Sequence, residues 1–242
     1  MSGQHYWDRM ARVDRRIYTP YLPRDKDARI LDAPCGFGRI LYSIQRMGYR
    51  CLYGIDTDAT ALETARLHIG SYPLLWERDI FSHLGEQEAQ GFDCIHSKDF
   101  VEHLTKDELL HFLDLIHASL RPGGTLIIQT VNGTSLFGAR MLADDLTHEI
   151  LLTPRSLRQA LAVTGFEVVT IRGIVPAVID ILSLGRRIVW EACNLPLRLY
   201  ITADGAVHWQ QHRLDWVLEQ RILVVGRKPC DCESEVVNPS PQ

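Results

Sequence analysis

From Arg29 to Asp56 the chain carries the pattern that most restricts its fold. Arg29–Ala33 reads as a buried strand, Pro34–Gly38 as a glycine turn, Arg39–Met47 as a helix and Arg50–Ile55 as a second strand closing on the acid Asp56. Strand, tight turn, helix and strand in this order build a βαβ unit. The alternation continues to about Val131, with a helix over Asp58–His68 and short strands over Pro73–Glu77 and Phe92–Ser97. A helix over Thr105–Leu120 and a strand over Thr125–Val131 follow. That helix has firm local signals. Thr105 and Glu108 form a capping box, Leu109, Phe112, Leu113 and Ile116 share one face, and Arg121-Pro122-Gly123-Gly124 stops it. Thr153-Pro154 opens another helix, and Phe166–Arg172 and Arg221–Arg227 read as two closing strands. The expected fold class is α/β, built on a doubly wound sheet.

The turn is also suited to binding. Without a Cβ, Gly36 and Gly38 let main-chain N–H groups approach a ligand, and the following helix points its positive end at the same spot. Asp56 lies twenty residues after Gly36, where a carboxylate in such a unit holds ribose hydroxyls. Either glycine can serve a purely structural turn, and Asp56 can cap the next helix. The two acids that bracket the turn, Asp32 and Asp56, favour binding. A nicotinamide dinucleotide fits poorly. Its G-x-G-x-x-G signature needs a third small residue for helix–strand packing, and that position here is Leu41. Asp32, four residues before Gly36, sits badly against a pyrophosphate and well against a cationic amino-acid moiety. The contrast favours S-adenosyl-L-methionine, whose ammonium and sulfonium are cationic and which carries no phosphate.

Asp32-x-x-Cys35-Gly36-x-Gly38 resembles the first motif of class I S-adenosylmethionine-dependent methyltransferases, with Pro34 where that family more often has glycine. The resemblance extends over roughly Ala28–Arg172 and the last strand. It implies a Rossmann-like methyltransferase fold: a mostly parallel seven-stranded sheet, with a helical insertion before a final antiparallel strand. It also implies methyl transfer from S-adenosyl-L-methionine, leaving S-adenosyl-L-homocysteine. By position in the motifs, Asp32, Cys35, Gly36 and Gly38 surround the amino-acid end of the cofactor, and Asp56 with Thr57 takes the ribose. Asp79 and Ile80, after the third strand, read the adenine, unless Asp79 is only an exposed loop acid. Ser97, followed by Lys98 at the end of the fourth strand, lines the methionine end, while Asp93 at its start is structural. Tyr6, Trp7 and Tyr18 belong to an N-terminal helical cap over residues 4–24, either covering the cofactor or simply packing the helix.

Histidines mark the acceptor side. Glu102-His103-Leu104 resembles the E-H-L of many family members, and an imidazole can accept a proton near neutral pH. A bracing role for His103 stays equally open. His148 lies in Asp144-Asp145-Leu146-Thr147-His148-Glu149, in the segment where the family builds its acceptor pocket. It is the first candidate for a general base, with His103 second, against a plain solvated loop. No metal site is expected: His208 and His212 lack a third ligand, and Cys230 and Cys232 make only a pair. The expected reaction is O-methylation of a small or glycan-like hydroxyl acceptor. The glycan element comes from a similarity of the stretch 132–157 to methyltransferases of bacterial polysaccharide and glycolipid pathways. A quinone, polyketide or amine acceptor stays open, as does a non-catalytic cofactor-binding regulatory subunit.

The bulk numbers set outer bounds. With 242 residues, 46% of them hydrophobic and 23% charged, the chain suits one α/β domain over 1–228, with an insertion at 174–218 and a disordered tail at 229–242. A net charge of −4 gives no overall attraction to nucleic acid. The N-terminus lacks an apolar signal core, and no stretch is apolar enough for a membrane span, so a cytoplasmic location is expected. Of the six cysteines, Cys35, Cys51 and Cys94 sit in or beside buried strands as small apolar residues. The insertion combines Trp190, Trp209 and Trp216 with Arg186, Arg187 and Arg198. Three readings follow: a lid over the reaction, a peripheral contact with a membrane surface, or a homodimer interface.

Overall fold

The computed structural model of the protein describes residues 3–70, 72–86, 91–203 and 217–230. His208, His212, Trp209, Trp216 and Cys232 lie outside the described residues, so the readings placed on them rest on sequence alone. In chain order the elements are α1 (Gly3–Tyr18), β1 (Arg29–Asp32), α2 (Arg39–Gln45), β2 (Cys51–Asp56), α3 (Ala59–Ile69) and β3 (Leu74–Glu77). Then come α4 (Ile80–Leu84), β4 (Phe92–Lys98), α5 (Lys106–Ser119), β5 (Leu120–Val131) and α6 (Gly138–Ala143). The last are α7 (Pro154–Val163), β6 (Glu167–Gly173), α8 (Ile181–Ala203) and β7 (Arg221–Arg227).

The seven strands form one sheet in the order β3-β2-β1-β4-β5-β7-β6. β1 pairs in parallel with β2 and β4, β2 with β3, and β4 with β5, whereas β7 runs antiparallel to both β5 and β6. The expected mostly parallel sheet with an antiparallel last strand is therefore present. The order reverses at β1, because the chain leaves β3 at one edge and re-enters at β4 on the other side of β1. Loops at the carboxyl ends of β1 and β4 diverge there and leave a crevice.

Alternation along the strands feeds two cores. Leu31, Ile55, Ile95 and Ile128 face α5 and α7, where Phe112, Leu113 and Leu161 are fully buried. Ile30, Leu52, Cys94 and Ile127 face the other layer, where α1, α2 and α3 bring Tyr18, Leu41, Ile44 and Leu62. Burial of each large side chain contributes about 1.5–3 kcal/mol. The capping box of Thr105 and Glu108 is formed, and a second one starts α7 at Thr153 and Ser156.

The structure adds what local patterns do not show. Two short helices, α4 and α6, follow β3 and β5, and β5 starts at Leu120, before the Pro-Gly-Gly turn. Leu120 pairs with Phe92 and Thr125 with Cys94, so the turn sits inside the strand as an irregularity, with Gly123 at φ 76°. Leu41, in place of a third glycine, is accommodated from the other side. A Cβ on Gly54 in β2 would lie 2.7 Å from Leu41 Cδ1 and 2.9 Å from Cys35 Sγ. The room that a glycine in the helix would supply comes instead from the strand. Among the described residues, no helix is long and apolar enough to cross a membrane.

Candidate functional site

The carboxyl edge of the sheet carries two candidate places for ligands. The first is the glycine turn between β1 and α2. Gly36 has φ 49° and Gly38 φ 74°, a backbone region that side chains disfavour. A Cβ on Gly36 would meet nothing within 4 Å, so the space before the turn is open, whereas one on Gly38 would come 2.8 Å from Ala65 of α3. One glycine thus faces the crevice and the other allows α2 to pack on α3. Asp56, at the end of β2, reaches back to the turn: its Oδ2 accepts from the Gly36 N–H at 2.7 Å and its Oδ1 from Asp58 N–H at 3.0 Å. Asp58, not Asp56, caps α3, through Thr60 and Ala61 N–H. Thr57 is exposed beside it. An open glycine cradle with a carboxylate at its rim and a helix N-terminus behind it fits the amino-acid and ribose parts of S-adenosyl-L-methionine.

Asp32 lies below this turn, wholly buried, and is occupied by a side chain of the neighbouring strand. His96 Nδ1 is 2.7 Å from Asp32 Oδ1, in the register that pairs the two residues across β1 and β4. Burial pushes the Asp32 carboxyl above the usual range, and His96, Arg39 and Lys98 pull it back. Tyr18 from α1 meets the His96 ring edge-on at 4.9 Å and donates to Gln129 at 2.6 Å. The helical cap is thereby tied to the floor of the crevice. Trp7 is buried against His68, with centroids 4.1 Å apart, and Tyr6 is exposed. Burial raises the Cys35 thiol, which suits packing and not nucleophilic chemistry. At the end of β3, Asp79 caps α4 by accepting from the N–H and hydroxyl of Ser82 at 2.9 and 3.0 Å, with Ile80 buried next to it. Ser97 is buried, and its hydroxyl has no hydrogen-bond partner among the described residues. Asp93, at the start of β4, accepts from Arg29 N–H at 2.6 Å and pairs with Arg121.

The second hollow has a volume of about 300 Å³ and is lined in part by Asp99, Glu102, His103, Met141, His148 and Arg221. Sequence reading named the two histidines separately; the fold brings them together. Glu149 N–H donates to the Glu102 carbonyl at 2.9 Å, which hangs the segment after α6 on the turn after β4. The imidazole centroids of His103 and His148 are then 4.7 Å apart. Their tautomers follow from their partners. His148 Nδ1 lies 2.8 Å from the Met141 carbonyl, which only accepts, so Nδ1 carries the proton. His103 Nδ1 lies 2.8 Å from Thr147 Oγ1, whose own proton goes to Asp145 at 2.7 Å, so His103 Nδ1 is also the donor. Those bonds from Thr147, side chain first, hold Asp145 below its ordinary pKa. In its neutral form each ring then has its lone pair on Nε2. Glu102, buried and accepting from Thr130 at 2.8 Å, completes a trio whose ligand atoms lie within 4.8 Å of one another. These groups can take up a proton or hold a divalent cation.

Lys98 ends β4, and Asp99, next to it, lines the second hollow. Asp99 has φ 52°, a strained value for a non-glycine residue, and it pairs with both Lys98 and Arg221. Burial, with Arg221 and Arg39 nearby, pulls the Lys98 ammonium down to about 8 from 10.5. Asp99 and His96 escaped the sequence reading. A histidine and an ion pair within or just after a mostly apolar strand were the available signal. Lys98→Met tests the electrostatics. Between pH 8 and 10.5 the unfolded chain keeps a proton that the folded chain has released, so the wild type gains stability relative to the variant as pH rises, by about 3 kcal/mol at most. Denaturation at pH 7 and pH 10 measures it, and an unchanged gap would refute the shift.

Comparison with known proteins bears on these hollows together. The family model described as a methyltransferase domain matches residues 6–171. The mouse mitochondrial ubiquinone biosynthesis O-methyltransferase is 30% identical over 163 residues, covering 61% of this chain and 43% of that protein. The ubiquinone biosynthesis O-methyltransferase of Chelativorans sp. (strain BNC1) is 31% identical over 150 residues, covering 57% of this chain and 58% of that protein. The chain thus spans about half the length of these curated relatives. Among solved structures, a SAM-dependent methyltransferase from Archaeoglobus fulgidus has a TM-score of 0.63 at 21% identity, covering 90% of this chain and 92% of that one. The Haemonchus contortus phosphoethanolamine N-methyltransferase 2, in complex with phosphomonomethylethanolamine and S-adenosylhomocysteine, has a TM-score of 0.60 at 18% identity, covering 92% of this chain and 53% of that one.

Proposed function

The chain belongs to the class I S-adenosylmethionine-dependent methyltransferases, and from that premise we propose that it methylates a hydroxyl of a small quinol-type acceptor. The observation that carries the oxygen assignment is the convergence of two imidazoles, His103 and His148, and the buried Glu102 carboxylate on one hollow. A hydroxyl must lose its proton as it becomes a nucleophile, and an imidazole with its lone pair facing the acceptor can take it. The names of the curated relatives favour a quinol over the glycan-like acceptor. Bound S-adenosyl-L-methionine supplies a methyl group already activated by the sulfonium. The protein's part is to align and to remove a proton. Gly36 and Asp56 hold the amino-acid and ribose ends, Asp79 and Ile80 the adenine, and Ser97 the methionine end. His148, with His103 beside it, receives the acceptor's proton on Nε2. Asp32, fixed by His96, lies under the glycine turn where the cationic end of the cofactor would sit.

A second reading is favoured by the spacing of Glu102, His103 and His148: a divalent cation held there would lower the hydroxyl's pKa in place of an imidazole. One assay separates these. Methyl-labelled S-adenosyl-L-methionine is offered with a catechol-type hydroxyl, a sugar hydroxyl or a primary amine, with and without EDTA. Label is expected on the aromatic oxygen in both conditions. Loss of turnover in EDTA selects the cation; label only on sugar or amine replaces the acceptor class. Cofactor binding without any transfer would leave the regulatory-subunit reading.

A further inference from the structure

Helix α8 is turned the wrong way for a surface helix. On a wheel of about 100° per residue, Ile181, Leu182, Ile188, Val189, Leu195 and Leu199 fall within one half of the circumference. All six face solvent, from 58% to 87% exposed. The other half is the more polar and the less exposed one. Ser183 is buried and bonded to Asp180, Arg187 lies over Trp190 at 5.3 Å, and Arg198 reaches Glu219 at 3.8 Å. An amphipathic helix with its apolar half outward implies that something apolar covers it.

Beside the start of α8 lies an uncommon concentration of positive charge for a chain of net charge −4. Arg12, Arg15 and Arg16 on α1 are exposed and make no salt bridge among the described residues, and with Ile179 they line a hollow of about 470 Å³. Arg9, one turn earlier, pairs with Asp180 at 3.8 Å and links the two helices. The topology adds a location. β6 is parallel to β5, both being antiparallel to β7, so α8 leaves the sheet at the edge that carries the cradle and the histidine hollow. Leu136 and Leu146, in the segment after β5 at the same edge, are 71% and 100% exposed.

We propose that the apolar half of α8 and the arginines of α1 form a docking surface for an anionic lipid bilayer. The helix lies in the plane of the interface, its aliphatic side chains among the acyl chains, while Arg12, Arg15 and Arg16 meet lipid phosphates. A second copy of the chain is a poorer occupant. An isologous contact would need acids to meet these arginines, and the nearby Asp180 and Glu191 are already paired with Arg9 and Arg187. Docking holds the mouth of the site at the membrane surface, whichever hydroxyl is methylated.

The test uses the full chain and sedimentation with vesicles of phosphatidylcholine alone, or mixed with phosphatidylglycerol. Binding to the mixed vesicles and not to the neutral ones is expected, weakening as salt is raised. Ile188→Asp with Val189→Asp, and separately Arg12→Glu with Arg15→Glu and Arg16→Glu, should each reduce binding at least tenfold. Both variants should keep wild-type affinity for S-adenosyl-L-homocysteine, which shows that they fold. No binding to the mixed vesicles overturns the proposal, as do variants that bind like wild type. A wild-type dimer on a sizing column that Ile188→Asp with Val189→Asp dissolves, without vesicle binding, makes α8 an interface between copies instead.

Discussion

Replacing His148 by alanine is expected to lower kcat by about 10²–10⁴-fold while leaving the Kd for S-adenosyl-L-methionine near its wild-type value. The reason is positional. Its Nδ1–H is spent on the Met141 carbonyl, which leaves Nε2 of the neutral ring to take a proton, and the ring lines the hollow proposed for the acceptor. His103→Ala should cost less if His148 is the base, because His103 then supports its partner ring from 4.7 Å away. Steady-state kinetics with calorimetry of the cofactor on both variants decides the matter. Should both retain full turnover, histidine does not activate the acceptor, and an amine acceptor or an acidic base such as Glu102 becomes the better account.

Asp56→Ala is expected to weaken S-adenosyl-L-methionine by about 1–3 kcal/mol, or roughly 5–150-fold in Kd, as loss of hydrogen bonds from a charged group does. The substitution removes the acceptor proposed for ribose hydroxyls and also the bond at 2.7 Å that holds Gly36 N–H, so on that proposal the cradle loses a ligand contact and a brace together. Asp56→Asn keeps an oxygen for the Gly36 N–H and should recover part of the loss. Calorimetry measures both. Unchanged affinity in Asp56→Ala, or tight binding of NAD to the wild type, would mean that the cradle has been assigned to the wrong ligand.

The strand–turn–helix around Gly36 and Gly38, the capping box at Thr105 and the acid that ends β2 are visible in the chain because they depend on local rules. Periodicity, helix capping and the steric freedom of glycine act within a few residues. The same rules place Asp79 at the end of β3, although the structure also shows it capping α4, which a loop reading does not reveal. They do not identify α4 and α6, whose five and six residues are too short to impose a recognisable period.

What the sequence determined by itself is the mostly parallel α/β architecture and the glycine turn with its bracketing acids proposed for the cofactor, because these lie in contiguous segments whose hydrogen bonding and burial are set by neighbouring residues. The half proposed for the acceptor was assembled only by the tertiary structure. His103 and Thr147, 44 residues apart, meet only because the chain after α6 is pinned to the Glu102 carbonyl. Asp32 and His96, 64 residues apart, pair because β1 and β4 are adjacent and in register, which no local pattern encodes. The outward face of α8 is likewise a matter of packing. Its amphipathic period is written in the residues, but only the folded chain shows that the half with Ile188 and Val189 is the exposed one, while Arg198 on the other half reaches Glu219 at 3.8 Å.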